Sequence, residues 1–117
     1  MIFHIADPKE YSVAADSGGS TYQPASFEKE GFIHCSKAGQ VASVLHRHFA
    51  SEDRLLLLAI DEVVEKEHIR YEDLYKRGQE FPHLYRALPL SSVLGTYVLE
   101  RKGGMFSIPF EWMRSFG

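Results

Sequence analysis

Apolar positions along this chain follow two periods, and the switches between them outline its elements. Ile2-Phe3-His4-Ile5 is a short apolar run with one histidine and predicts a first strand. Asp7, Pro8 and Glu10 then stand as an N-cap, a first helical residue and an acidic third position, opening a helix to about Ala15. Ser17-Gly18-Gly19-Ser20 stops it, and Tyr22 to Phe27, with Pro24, reads as an irregular connection. From Gly31 to Ser36 the chain alternates, placing Phe32, His34 and Ser36 on one face and Ile33 and Cys35 on the other. Ser36 is also placed to cap a helix from Lys37 to about Ala50. There Val41, Leu45 and Phe49 recur every fourth residue, Val44 widens the stripe, and Gln40, Ser43 and Arg47 are expected to face water.

The second half begins with Leu55 to Ile60, which has no polar break and predicts a strand buried on both faces. A helical turn over Asp61 to Lys66 leads to a strand at Ile69 to Glu72, with Arg70 and Glu72 on one face. Leu74 to Pro89 has no clean period and holds Gly78, Pro82 and Pro89, which reads as a long ordered loop of the kind that often carries function. A strand from Ser92 to Glu100, a Gly103-Gly104 hairpin into Phe106-Ser107-Ile108, and a terminal turn anchored by Phe110 and Trp112 complete the chain. Strands mixed with two main helices and no linker or repeat give an α+β class, in a length of 117 residues that suits a single domain.

Charge and cysteine content narrow the partners. Thirteen Lys and Arg against 16 Asp and Glu leave a net charge of −3, with no basic stripe, which argues against nucleic acid as the main partner. A nucleotide-sized ligand needs only one or two cations and stays open. The single cysteine, Cys35, forms no internal disulfide, and neither a signal-peptide pattern nor an apolar run long enough for a membrane span is visible. A cytoplasmic protein without membrane partners is expected.

Three of the six histidines, His4, His34 and His83, sit in apolar surroundings. Any one alone reads as a hydrogen-bonded structural histidine; three together point to a shared polar pocket, where imidazole suits ribose, phosphate or proton transfer. Ser36 at a strand-to-helix junction is by itself a plain cap worth about 1 kcal/mol, or with the helix amides an anion site. Arg70 and Glu72 either pair at a solvated surface for about 0–1 kcal/mol or hold a phosphate or orient a hydroxyl in a cleft. Phe81-Pro82-His83-Leu84-Tyr85 offers aromatic rings for a planar ligand, or simply closes over the core. No metal site is expected: His46 and His48 are two apart on a helix and point different ways, and no Cys-x-x-Cys or His-x-x-x-His occurs. Cys35 lies opposite His34 by alternation and reads as buried and inert.

Ile2-Phe3-His4-Ile5, Glu30-Gly31-Phe32-Ile33-His34-Cys35-Ser36, Leu56 to Asp61, Arg70-Tyr71-Glu72 and Phe81-Pro82-His83-Leu84-Tyr85, taken in order, resemble the bacterial "domain of unknown function 952" family over about positions 2 to 100. The resemblance brings no reaction, but it implies a fold similar to the ADP-ribosyltransferase group, in which NAD lies between two small sheets. RNA 2′-phosphotransferases of that group carry Tyr-His-Gly-Thr on a strand, then a helix, then His-Leu-Ser. Phe3-His4-Ile5-Ala6 and Ile33-His34-Cys35-Ser36 are similarly placed. The resemblance therefore implies His4 at an NAD ribose and His34 with Ser36 lining the pocket. Ile5 stands where that group has glycine, the arginine before the second motif is absent, and Glu72 or Glu100 would serve as the late glutamate.

These expectations combine into an ADP-ribosyltransferase-like α+β domain with two small mixed or antiparallel sheets and two main helices. Its pocket would take a nucleotide-derived small molecule such as NAD, for ADP-ribosyl or phosphoribosyl transfer. His34, His83 and Glu72 are the candidate catalytic groups, and His4, Ser36, Arg70 and Tyr85 the candidate ligand contacts. A non-catalytic module is the alternative, binding a small molecule or using the aromatic loop and Phe110, Trp112 and Phe116 as a protein contact surface.

Overall fold

Asp7 does what its position predicts. In the computed structural model, which describes residues 1–117, its carboxylate accepts from the amides of Lys9 (2.8 Å) and Glu10 (3.1 Å). That cap turns the chain from strand β1 (Ile2–Ala6) into helix α1 (Pro8–Asp16). A short β2 (Thr21–Tyr22) and a single helical turn, α2 (Phe27–Glu30), follow. Gly31 closes α2 in the left-handed region (φ 80°), its amide bonded to the Phe27 carbonyl at 2.7 Å.

The alternating segment then divides in two: β3 (Ile33–His34) joins one sheet and β4 (Ser36–Lys37) another, with Cys35 at the crossing. Ser36 does not cap the next helix. A 3-10 turn over Ala38–Gln40 intervenes, the Gln40 side chain accepts from the Lys37 amide at 3.0 Å, and α3 spans Val41–His48. Gln40, expected in water, is buried, and its amide also donates to the Glu80 carbonyl at 2.9 Å. A polar residue breaks the apolar stripe and is still buried because the loop before residue 81 covers it.

The apolar run becomes β5 (Arg54–Ile60) and divides the core, as its lack of a polar break predicts. Leu58 and Ile60 pack with Ile2, Ala6, Tyr22, Ile33, Leu84 and Leu88 on one side. Leu55, Leu57 and Ala59 pack with Phe3, Val41, Leu45 and Met113 on the other. Helical turn α4 (Glu62–Glu65) and β6 (Ile69–Glu72) come next. The expected loop from Leu74 to Pro89 is a loop only to Glu80, since β7 (Phe81–Leu84) and β8 (Leu88–Pro89) lie within it. Proline normally marks a strand edge, yet Pro82 sits mid-sheet. Its carbonyl accepts from the Cys35 amide at 3.0 Å, and its missing donor forgoes only the reciprocal bond, at the point where the chain leaves β3. Strands β9 (Val93–Lys102) and β10 (Met105–Phe106) and helix α5 (Phe110–Arg114) complete the chain.

The result is an α+β domain whose strand pairs are all antiparallel, none mixed: β10-β9-β5-β1-β4, β3-β7-β6, and the pair β2-β8. The aromatic residues expected to form the contact surface of a protein-binding module are mostly buried or half-buried. Pro82, His83 and Leu84 are buried, and Trp112 and Phe116 pack on the core, leaving only Phe110 largely exposed. No helix is long and apolar enough to cross a membrane.

Candidate functional site

Where the two larger sheets meet they leave a cavity of about 490 Å3. One wall is built from strands: His4 from β1, His34 from β3, Ser36 from β4 and His83 from β7. Helix α3 contributes Ser43, Arg47 and His48, and the loop before β7 contributes Tyr75 and Arg77. Asp7, Glu10, Glu30 and Glu52 supply carboxylates around it. No group of three His, Cys, Asp or Glu side chains has the arrangement of a metal site.

His4 has no free valence. Its Nδ1 lies 2.6 Å from the His34 carbonyl oxygen and its Nε2 2.9 Å from the Tyr22 hydroxyl. A carbonyl only accepts, so Nδ1 carries the proton and Nε2 accepts from Tyr22. Burial pulls the His4 pKa down to about 4, which keeps the ring neutral.

His34 and His83 face each other across the β3–β7 pair, with ring centroids 5.5 Å apart. Each has its own carboxylate. Glu30, one turn earlier in the chain, binds His34 Nε2, and Glu72 lies 3.0 Å from His83 Nδ1. His83 is only 2% exposed, lies against Phe32 at 4.4 Å, and has no protein partner at Nε2. Burial draws its pKa below the ordinary histidine value, while Glu72 pulls the other way. A neutral ring donating Nδ1–H to a carboxylate leaves a lone pair at Nε2, which here reaches only the cavity. Ser36 is 5% exposed, and its hydroxyl likewise has no partner within the protein.

The other three sequence-derived residues stand behind His83 and do not line the cavity. Tyr85 donates its hydroxyl to Glu72, and the Arg70 guanidinium lies over the Tyr85 ring at 4.7 Å. The Tyr85 hydrogen bond chiefly, with that of His83, holds the Glu72 carboxyl below its usual range against the opposing effect of burial. Tyr85 therefore has one ring face occupied by Arg70 and packs against Phe32, and its hydroxyl buttresses Glu72. The phenyl and phenol rings that do line the cavity are Tyr22, Phe49, Tyr75 and Phe81. Glu100, the other candidate glutamate, is exposed opposite Arg54 and does not line the cavity.

Sequence reasoning missed Glu30, Arg47, Arg77 and Tyr22. Glu30 stood in the quoted motif four residues before His34, the one signal that was there to be read. Arg47 was expected in water, and it is exposed, but its side chain stands at the cavity mouth. His46 and His48 point apart as their spacing predicts, His48 to this cavity and His46 to a smaller hollow beside Met105.

The model of the DUF952 family, described as proteins of unknown function, matches residues 5–96, which hold the strand wall from His34 onward and both arginines. The chain belongs to this family. Among solved structures, this DUF952 chain is similar to the X-ray crystal structure of protein CC0527 from Caulobacter crescentus, at 27% identity over 97% of each chain and a TM-score of 0.82. The solution NMR structure of CC0527 matches with 28% identity over 90% of this chain and 89% of that one, at a TM-score of 0.75. No curated protein matches the DUF952 chain.

Proposed function

We propose that this DUF952 protein is an enzyme whose cavity takes a nucleotide-derived ligand such as NAD and transfers its ADP-ribosyl or phosphoribosyl group. One observation carries the reading. His83 and Ser36 are each more than nine-tenths buried, and each keeps a hydrogen-bonding valence that only a molecule in the cavity can use. Two antiparallel sheets meeting at the cavity support an ADP-ribosyltransferase-like reading of the fold, and Tyr75 and Phe81 give a base aromatic surface in place of Tyr85.

In such a transfer the bond from ribose carbon to nicotinamide nitrogen breaks, and nicotinamide leaves with the electron pair. An acceptor hydroxyl forms the new bond to that carbon, and its proton passes to Nε2 of His83, with Glu72 stabilising the imidazolium. His34 and Ser36 orient the ribose hydroxyls. His4, its valences used, supports the floor through Tyr22.

The test is a thermal-shift screen against NAD, ADP-ribose, mononucleotides and inorganic phosphate. A ligand at a hundred times its Kd adds about 2.7 kcal/mol, and that stabilisation should be lost in Ser36→Val. No stabilisation by any of these compounds would overturn the nucleotide reading.

A further inference from the structure

The charged groups around the cavity are not equally engaged. Asp7 accepts from two backbone amides, Glu10 accepts from the Ala25 amide at 2.9 Å, and Glu30 is bound to His34. Only Glu52 among the lining carboxylates accepts no hydrogen bond at all. Arg47 and Arg77 also line the cavity, and neither belongs to an ion pair; the arginines that do are Arg86 and Arg101, elsewhere in the fold. The unpaired charges on the α3 side of the cavity are therefore two guanidiniums and one carboxylate, a net positive balance.

Arg77 is also held in place. Asp73 accepts from the amides of Arg77 and Gly78, both at 2.8 Å, and the buried Gln40 side chain ties the end of the same loop through Gln79 (3.1 Å) and the Glu80 carbonyl (2.9 Å). Lys76, just before Arg77, takes the left-handed conformation (φ 54°), an uncommon state for a side-chain-bearing residue that this tethering maintains. Arg47 comes from the last turn of α3, next to His48. Burial first, then Arg77, Arg47 and His34, lower the pKa of His48, as expected where these cations converge.

We propose that Arg47, Arg77 and His48 form a phosphate subsite at the mouth of the cavity, so that its ligand is a phosphomonoester or diphosphate whose reacting end reaches His83. This rests on the reading of the cavity as a ligand site and specifies which ligands it takes. Guanidinium groups bind phosphate oxygens through paired N–H donors, and two of them with an imidazole match the charge and acceptor count of a diphosphate. Glu52 stands at the rim and disfavours a more extended polyanion.

The probe is inorganic pyrophosphate, titrated calorimetrically into the wild type, Arg47→Gln, Arg77→Gln and the double variant, with the histidine ring protons followed by NMR. Both arginines are exposed, so the variants should keep the wild-type melting temperature. Binding is expected to weaken about tenfold or more in each single variant and to vanish in the double one. The His48 pKa should rise when pyrophosphate is bound, because the anion offsets the neighbouring cations. Absence of pyrophosphate binding to the wild type, or undiminished binding to the double variant, would overturn the subsite. The two readings fail separately: a mononucleotide that binds wild type and double variant alike removes the subsite and keeps the nucleotide pocket. Arginine-dependent pyrophosphate binding with no response to any nucleotide keeps the subsite and removes the nucleotide.

Discussion

His4 Nδ1 lies 2.6 Å from the main-chain oxygen of His34, so one histidine of the five-stranded sheet holds the backbone that carries another histidine of the three-stranded sheet. The bond that the same ring accepts at Nε2 from the Tyr22 hydroxyl requires a neutral His4, and burial lowers its pKa to about 4 from an ordinary 6.5. Between those values the unfolded chain binds the proton and the folded chain does not. Stability is therefore full above about pH 6.5 and falls as pH drops toward 4, by about 3 kcal/mol from this group. Urea unfolding at steps across that window should show the slope in the wild type and a much shallower one in His4→Gln. Equal slopes would mean that His4 is not the titrating group.

The Glu72–His83 pair predicts a separable effect on turnover. In His83→Asn the side-chain amide occupies the place of Nδ1–H and can still donate to Glu72, but nothing replaces Nε2. If the proposed transfer reaction holds, the melting temperature should stay within a few degrees while NAD cleavage, followed as nicotinamide release, falls by about 10²–10⁴-fold. On the same reading, the lowered His83 pKa keeps the ring neutral at pH values where an ordinary histidine is charged, so the acid limb of the rate profile is expected below about pH 6.5. Cleavage surviving in His83→Asn would rule out His83 as the base.

Away from the cavity, Glu65 is fully buried and holds Arg86 through two 2.8 Å bonds, with the Ser92 hydroxyl at 2.6 Å. Burial acts to raise its pKa, and the Arg86 and Ser92 hydrogen bonds outweigh that and lower it. Arg86→Ala leaves this carboxylate buried without its partner and should cost about 3–5 kcal/mol in chemical denaturation. Arg86→Ala with Glu65→Leu should regain most of the loss, because it removes the charge as well as the pair.

Cys35 is 3% exposed, and burial raises its thiol pKa well above the ordinary value. The native protein should resist a thiol-reactive disulfide reagent for hours and react fully once unfolded in guanidinium. Rapid labelling of the native state would show that the cavity gives access to the sulfur.

Several of these features were legible in the sequence because their cause is local. The Asp7-Pro8 helix start, the two-sided burial of Leu55 to Ile60 and the divergence of His46 from His48 all follow from neighbouring residues and the pitch of a helix or strand. His34, His83, Ser36 and His4 could be picked out because polar groups in apolar strands need partners, and all four do meet at one cavity.

What the sequence could not supply was where those partners come from. His4 is satisfied by residues 18 and 30 positions away, and Arg70, Glu72 and Tyr85 turn to support His83 instead of lining the cavity. Ser36 lost its capping role when the chain crossed between sheets at Cys35, and Phe81 to Leu84 became a central strand despite Pro82. Arg47 and Arg77 carry no apolar period and lie 30 residues apart, so only the packing of α3 against the loop before β7 brings them to one cavity. Helix and strand periods are written in adjacent residues. Which faces, loops and charges then meet depends on how the two sheets pack, and no local pattern encodes that.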